Sequence, residues 1–176
     1  MNLSVNIMTC SNEFLEMTLN SVKPYADEII VKDTSTLFHL GEPWTNSSLD
    51  VRLTEILNEM KNESKGKWIL KIDDDEIWPK EVMNEISWIA RNSETTPIYA
   101  VPFLHIGKDT KLRYIKRLFR NIPEITWDGI FGTETLAYNG KRIPSLSCPQ
   151  LKNFFIHLGG LRKNIKDRKH DYDWKD

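Results

Sequence analysis

The stretch Trp68-Ile-Leu-Lys-Ile-Asp73-Asp74-Asp75-Glu76-Ile-Trp78 decides the fold, because a short hydrophobic run ends there in four consecutive acidic residues. The run predicts a buried strand, and Pro79 directly after it favours the first turn of a helix. Neighbouring carboxylates repel one another and so raise one another's pKa values. A bound divalent cation removes this repulsion. Mg²⁺ and Mn²⁺ take carboxylate oxygens and share them with substrate phosphates. The alternative is an acidic turn that only caps the next helix.

The segments around this stretch alternate between strand and helix patterns over the first hundred residues. Strands are predicted at Leu3–Thr9, Glu28–Lys32 and Trp68–Ile72, and helices from Ser11 or Asn12 to Val22, from Ser47 or Ser48, and from Pro79. This order favours an α/β protein with a Rossmann-like, mainly parallel central sheet flanked by helices. The second half predicts strands of mixed direction at Tyr99–Leu104, Leu112–Phe119 and Phe154–Leu158.

Polar residues stand where the first three predicted strands end, at Thr9, Asp33 and Asp73. Ligands of such sheets bind outside the carboxyl ends of the strands. We therefore expect these three residues to lie along one edge of the sheet. At the turn that follows, Asp73 and Asp75 are expected to point to one side and Asp74 elsewhere.

Length and charge exclude several classes of protein. The chain has 176 residues, which predicts one domain, 1–158, followed by a basic tail, 159–176. Its net charge of −1 disfavours nucleic-acid binding. Its two cysteines have no metal-site spacing. The longest apolar run, Ile98–Ile106, is too short to span a bilayer. These features predict a cytoplasmic location, in the host cytoplasm if the protein is viral.

Several short segments, taken in order, resemble family 2 glycosyltransferases with the GT-A fold. The segments are Asn6-Ile-Met-Thr9-Cys-Ser-Asn12-Glu13, the strand ending on Asp33, the Asp73-Asp74-Asp75-Glu76 run, Arg117-Leu-Phe-Arg120-Asn and Trp127-Asp128-Gly129. The resemblance covers about residues 1–158. In size the chain is similar to small transferases of archaea and their viruses.

The resemblance implies a set of roles. Thr9, Glu13, Asp33, Arg52 and Asp73 would hold the nucleotide of a UDP- or GDP-sugar, and Asp73, Asp75 and His157 would bind Mn²⁺ or Mg²⁺. The acceptor would be a glycan, a protein or a lipid, and the sugar would be transferred with inversion. The chain departs from the family after its second strand, where it reads Thr34-Ser-Thr-Leu-Phe, and after Gly129, where the frequent His-Glu pair is absent.

Sugar transfer also needs cations near the leaving diphosphate and a base for the acceptor hydroxyl. In the basic segment Lys108–Arg120, the candidates to face phosphate are Lys116, Arg117 and Arg120. The alternative is that the segment is an ordinary exposed strand that carries basic side chains. The candidate bases are Glu134 and Asp128, with surface carboxylates as the alternative. The basic tail could close over the diphosphate through a Gly159-Gly160 hinge.

Two other functions fit the same fold prediction. One is nucleotidyl transfer, which the Thr-Cys-Ser-Asn-Glu sequence after the first strand disfavours, since a Gly-rich basic loop is usual there. The other is a catalytically degenerate module that binds a sugar or a protein. The oligomeric state is left open, with a dimer as one option.

Overall fold

The computed structural model describes residues 1–10, 12–38, 47–106, 112–129, 134–158 and 161, without the side chains of residues 38, 47–50, 129 and 134. The first half contains β1 (Leu3–Thr9), α1 (Leu15–Val22), β2 (Glu28–Asp33), α2 (Ser35–Phe38), α3 (Ser47–Glu63), β3 (Trp68–Asp73), β4 (Glu76–Ile77) and α4 (Lys80–Asn92). The second half contains β5 (Ile98–His105), β6 (Leu112–Arg120), β7 (Ile125–Gly129), β8 (Glu134–Tyr138), β9 (Lys141–Arg142), a 3₁₀ helix (Ser145–Ser147) and β10 (Phe155–His157).

The main sheet has seven strands in the order β2-β1-β3-β6-β5-β10-β4, and β7-β8-β9 form a second sheet. β1 pairs in parallel with β2 and β3, and β10 pairs in parallel with β5. β6 and β4 run in the opposite direction. The predicted α/β class is therefore confirmed, with a mainly parallel central sheet and a mixed second half.

Each face of the main sheet carries its own core, because successive side chains along a strand point to opposite faces. On one face, Val5, Ile7, Leu70 and Ile72 form a core with buried residues of α1 and α4. On the other face, Met8, Ile69 and Phe119 pack with α3 and with Trp127 and Leu136 of the second sheet. No helix among the described residues is long and apolar enough to cross a bilayer.

Two helix starts differ from the sequence prediction. Phe14, not Ser11 or Asn12, holds the N-cap of α1 and makes no side-chain capping bond. Asn12 has a φ of 56°, whereas an N-cap residue takes an extended conformation; Ser11 lies outside the described residues. Pro79 is the N-cap of α4 and not a residue of its first turn, with a ψ of 154°.

β6 carries a bulge at Arg117. Tyr99 of β5 pairs with Leu118 and Ala100 pairs with Lys116, so Arg117 is the additional residue between them. A bulge of this kind changes the direction of a side chain and bends its strand. It allows Leu118 and Phe119 to stay in the two cores while Arg117 takes a separate direction.

Candidate functional site at the carboxyl edge of the main sheet

Five polar residues end their strands at the same edge of the main sheet. Thr9 pairs with Asp33 across β1 and β2, and the residue before Thr9 pairs with Asp73 of β3. His105 of β5 pairs with His157 of β10. The expected alignment of Thr9, Asp33 and Asp73 is confirmed, and two histidines join them at this edge.

The acidic turn folds across this edge because the sheet curls. β3 and β4 are four places apart in the sheet order, yet β4 begins at Glu76, three residues after Asp73. Three residues span at most about 11 Å of chain. β3 pairs with β6 only through Trp68–Leu70 and separates from it afterwards. The ends of β3 and β10 consequently converge on the acidic turn.

Asp74 points into the protein and secures this turn. Its side chain is buried and accepts hydrogen bonds from the Thr9 hydroxyl at 2.7 Å and the Cys10 N–H at 3.3 Å. Below the turn, the buried hydroxyl of Thr18 lies 2.9 Å from the carbonyl oxygen of Asp74 and 3.0 Å from that of Glu76. The side chain of Asp74 thus ties the turn to the end of β1, and Thr18 ties its backbone to α1. The side chains of Asp73, Asp75 and Glu76 are left to contact other groups.

Asp73 is held between two cations. Its Oδ1 lies 2.5 Å from Nζ of the buried Lys71, and its Oδ2 lies 2.5 Å from Nη2 of Arg117. Burial raises the pKa of Asp73, but Arg117 and then Lys71 more than offset this, so the pKa lies well below its usual range. Asp73 therefore stays ionised, and 29% of its side-chain surface remains exposed for a ligand.

Glu76 shares the same arginine but is fully enclosed. Its Oε1 lies 2.6 Å from Arg117 Nη2, and its Oε2 accepts the N–H of Asp73 at 3.1 Å. Burial raises the pKa of Glu76 to about 7, against the opposing effect of Arg117 and with the help of the nearby Asp73 charge. One guanidinium thus serves two carboxylates, of which the more enclosed one holds its proton more tightly.

Asp75 meets His157 at the far side of the turn. The pairing of β10 with β4 and a hydrogen bond from the Leu158 N–H to the Asp75 carbonyl oxygen, 2.8 Å, bring the two together. His157 Nε2 lies 3.4 Å from Asp75 Oδ1. Burial lowers the pKa of His157, but Asp75, followed by Glu76 and Asp73, shifts it upward overall. On its other side, His157 Nδ1 lies 2.6 Å from Nδ1 of His105.

Asp75 and His157 suit a divalent cation. Two donors bound to one cation at about 2.1 Å lie roughly 3.0–3.4 Å apart, which matches their spacing. Within the described ranges there is no group of three or more His, Cys, Asp or Glu side chains arranged to hold a metal by themselves. The remaining positions around such a cation would be filled by groups other than these side chains, as is usual for Mg²⁺ and similar ions.

The three basic candidates of β6 lie in different surroundings. Arg117 is buried against Asp73 and Glu76. Lys116 is also buried, and its Nζ donates to the Thr135 hydroxyl and, at 2.5 Å, to the Ile143 carbonyl oxygen. Arg120 pairs with Trp68 at the opposite end of β3 and donates to the Glu94 carbonyl oxygen at 2.8 Å. The structure thus brings only Arg117 to the acidic turn.

The remaining nucleotide candidates are exposed. Arg52, on α3, forms ion pairs with two glutamates of its own helix, Glu55 at 2.8 Å and Glu59 at 3.6 Å. Asp33 accepts the N–H of Ser35 at 2.8 Å at the end of β2. Glu13 lies in the exposed turn after β1. Of these, Asp33 is at the edge of the sheet with Thr9 and Asp73.

The two candidate bases belong to one hairpin of the second sheet. Asp128 on β7 pairs with Thr135 on β8, and its Oδ2 accepts a hydrogen bond from Arg142 at 2.8 Å. Glu134 is opposite Gly129 in the same hairpin, and its side chain lies outside the described residues. The tail, 159–176, also lies outside them except for Leu161.

Sequence reasoning missed three residues of this site. Lys71 carried a signal, because it interrupts a hydrophobic strand two places before Asp73, on the same face. Glu76 was counted in the acidic run without a role. His105 carries no local signal in its mainly apolar strand, because its partner His157 is 52 residues further along the chain.

Comparison with known proteins gives distant structural similarity. No protein-family model matches the chain, and no curated protein matches it. Two crystal structures of S. aureus TarS, one of residues 1–349, are similar at 12% identity and a TM-score of 0.49, over 69% of this chain and 47% and 28% of those chains. A glycosyltransferase involved in the glycosylation of the major capsid of PBCV-1 is similar at 14% identity and a TM-score of 0.37, over 66% of this chain and 59% of that one. The matched part spans less than half of either TarS chain.

Proposed function

We propose that this chain is a glycosyltransferase of the GT-A type that uses Mn²⁺ or Mg²⁺ to transfer a sugar from a UDP- or GDP-sugar to a glycan, protein or lipid acceptor. The observation that carries the proposal is the convergence of Asp73, Asp75 and His157 at the carboxyl edge of the sheet. In α/β sheets this edge is where nucleotides bind.

Each residue has a chemical task in the proposal. Asp33 and the ionised Asp73 accept hydrogen bonds from donor hydroxyls, as carboxylates do for a ribose. Asp75 and His157 hold the cation, which, when bound, neutralises the charge that develops on the leaving diphosphate. Arg117 keeps Asp73 ionised and in place from below. Glu134 or Asp128 removes the proton of the acceptor hydroxyl, and direct attack by that hydroxyl inverts the anomeric centre.

Nucleotide-sugar binding tests the proposal. Thermal unfolding is measured with Mn²⁺ and a panel of UDP- and GDP-sugars, together with release of the nucleoside diphosphate. A ligand at 100 times its Kd adds about 2.7 kcal/mol, which raises Tm by roughly 5–10 °C in a chain of this size. We expect one donor to do this in the wild type and none to do so in Asp75→Asn.

Glu81→Gln is the matched control, because it neutralises an exposed carboxylate on α4 near the site in sequence. This variant should bind the donor like the wild type. The proposal fails if no nucleotide sugar stabilises the wild type, or if Asp75→Asn responds as Glu81→Gln does. Stabilisation without any diphosphate release would favour the non-catalytic binding module instead.

A further inference from the structure

His105 and His157 face each other through the same atom of their rings. Their Nδ1 atoms lie 2.6 Å apart, and the pairing of β5 with β10 sets the two rings side by side, with centroids 4.6 Å apart. Such a contact holds one proton, because two N–H groups clash and two lone pairs repel each other. The geometry therefore fixes a hydrogen bond and leaves open which ring donates.

The direction of this hydrogen bond decides what faces Asp75. If His105 donates, a neutral His157 carries its proton on Nε2, 3.4 Å from Asp75 Oδ1. If His157 donates, its Nε2 presents a lone pair in that direction. Only the second arrangement makes Nε2 a metal ligand, because a ligating nitrogen carries no proton.

We propose that His105 is the positioning residue of the cation site: its Nδ1 accepts the Nδ1 proton of His157 and so directs the Nε2 lone pair of His157 toward Asp75. The inference rests on the metal-dependent function proposed above. A carboxylate, a backbone carbonyl or water usually accepts this proton. A neutral imidazole does the same without adding negative charge beside Asp73, Asp75 and Glu76.

Three substitutions of His105 separate its role as an acceptor from its role in packing. In His105→Asn the amide oxygen takes the place of Nδ1 as an acceptor, whereas His105→Phe and His105→Leu offer none. Mn²⁺ affinity is measured by calorimetry, and nitrogen coupling to bound Mn²⁺ by pulsed EPR. We expect the Phe and Leu variants to lose the nitrogen coupling and about 10- to 100-fold in affinity, and the Asn variant to keep both.

The outcomes distinguish this inference from the proposed function. His157→Ala supplies the spectrum without ring coordination, and circular dichroism identifies any variant that does not fold. Wild-type coupling that persists unchanged in a folded Phe or Leu variant overturns the role of His105 and leaves the metal-dependent function standing. Loss of coupling in a folded Asn variant also overturns it. A wild type that binds no Mn²⁺ removes both proposals.

Discussion

Nη2 of Arg117 lies 2.6 Å from Oε1 of Glu76, and both side chains are buried. The same Nη2 reaches Asp73 from a bulge, at which Arg117 is the additional residue of β6. The bulge thus places the positive charge of Arg117 beside Asp73 and Glu76, the first and last acids of the turn. Because both partners are buried, loss of one leaves the other charge uncompensated, unlike in an ion pair on the surface.

Arg117→Leu should lower the free energy of unfolding by about 3–5 kcal/mol, because it leaves the Glu76 carboxyl group buried without its partner. Urea denaturation measures the change. Arg142→Leu is the control, since it breaks the exposed pair with Asp128 and should cost about 0–1 kcal/mol. Equal costs for the two variants would contradict the structural role given to Arg117.

Stability should fall as the pH rises between about 4.5 and 7, and Glu76→Gln should remove part of that fall. The pKa of Glu76 is raised from 4.5 to about 7, so in this window the folded chain binds a proton that the unfolded chain has released. The free energy of unfolding, measured in urea against pH, reports the difference between the two proteins. His157 adds to the fall only above about pH 6.5, because its pKa is raised from that value, and both proteins contain it. If the wild type and Glu76→Gln lose stability with pH in parallel, the pKa of Glu76 is not raised in the folded chain.

Thr18→Val should cost about 1–3 kcal/mol, because the buried hydroxyl is the donor beneath the carbonyl oxygens of Asp74 and Glu76. The substitution keeps the shape of the side chain. In Thr126→Val, an exposed position on β7, the change should stay within about 0.5 kcal/mol. A Thr18 variant as stable as the Thr126 variant would refute this account of the turn.

Asp74→Ala, which removes the acceptor, and Asp75→Asn should give opposite profiles although the residues are neighbours. Asp74 accepts from Thr9 and Cys10, so its replacement should lower stability by about 1–3 kcal/mol and leave Mn²⁺ binding by the folded protein intact. Asp75 lies beside His157, so its replacement should abolish Mn²⁺ binding. Chemical denaturation and calorimetry on both variants decide the matter. Loss of Mn²⁺ binding in both would mean that the turn acts as one unit.

The strands of the first half were predictable from sequence because each is a short apolar run that ends in a polar residue, as at Thr9 and Asp73. Their parallel pairing then placed Thr9, Asp33 and Asp73 at one edge without further information. Helix starts were less predictable, because the left-handed backbone of Asn12 cannot be inferred from the residue type.

The contacts that define the candidate site depend on pairings between distant segments. Arg117 reaches Asp73 only because of a bulge, and no local pattern in β6 indicates one. His105 and His157 meet because β10 pairs with β5, across 52 residues of sequence. The sequence therefore indicated several candidate residues but not which of them face each other.

The last strand among the described residues, β10, has a consequence for synthesis of the chain. β10 lies between β5 and β4 in the main sheet, although both precede it by many residues. Ribosomes deliver a chain from its N-terminus at about 5–20 residues per second. Until residues 155–157 have left the exit tunnel, a nascent chain holds Asp75 without His157 beside it. Nascent chains that stop short of this segment therefore lack the Asp75–His157 contact on which the proposed cation site depends.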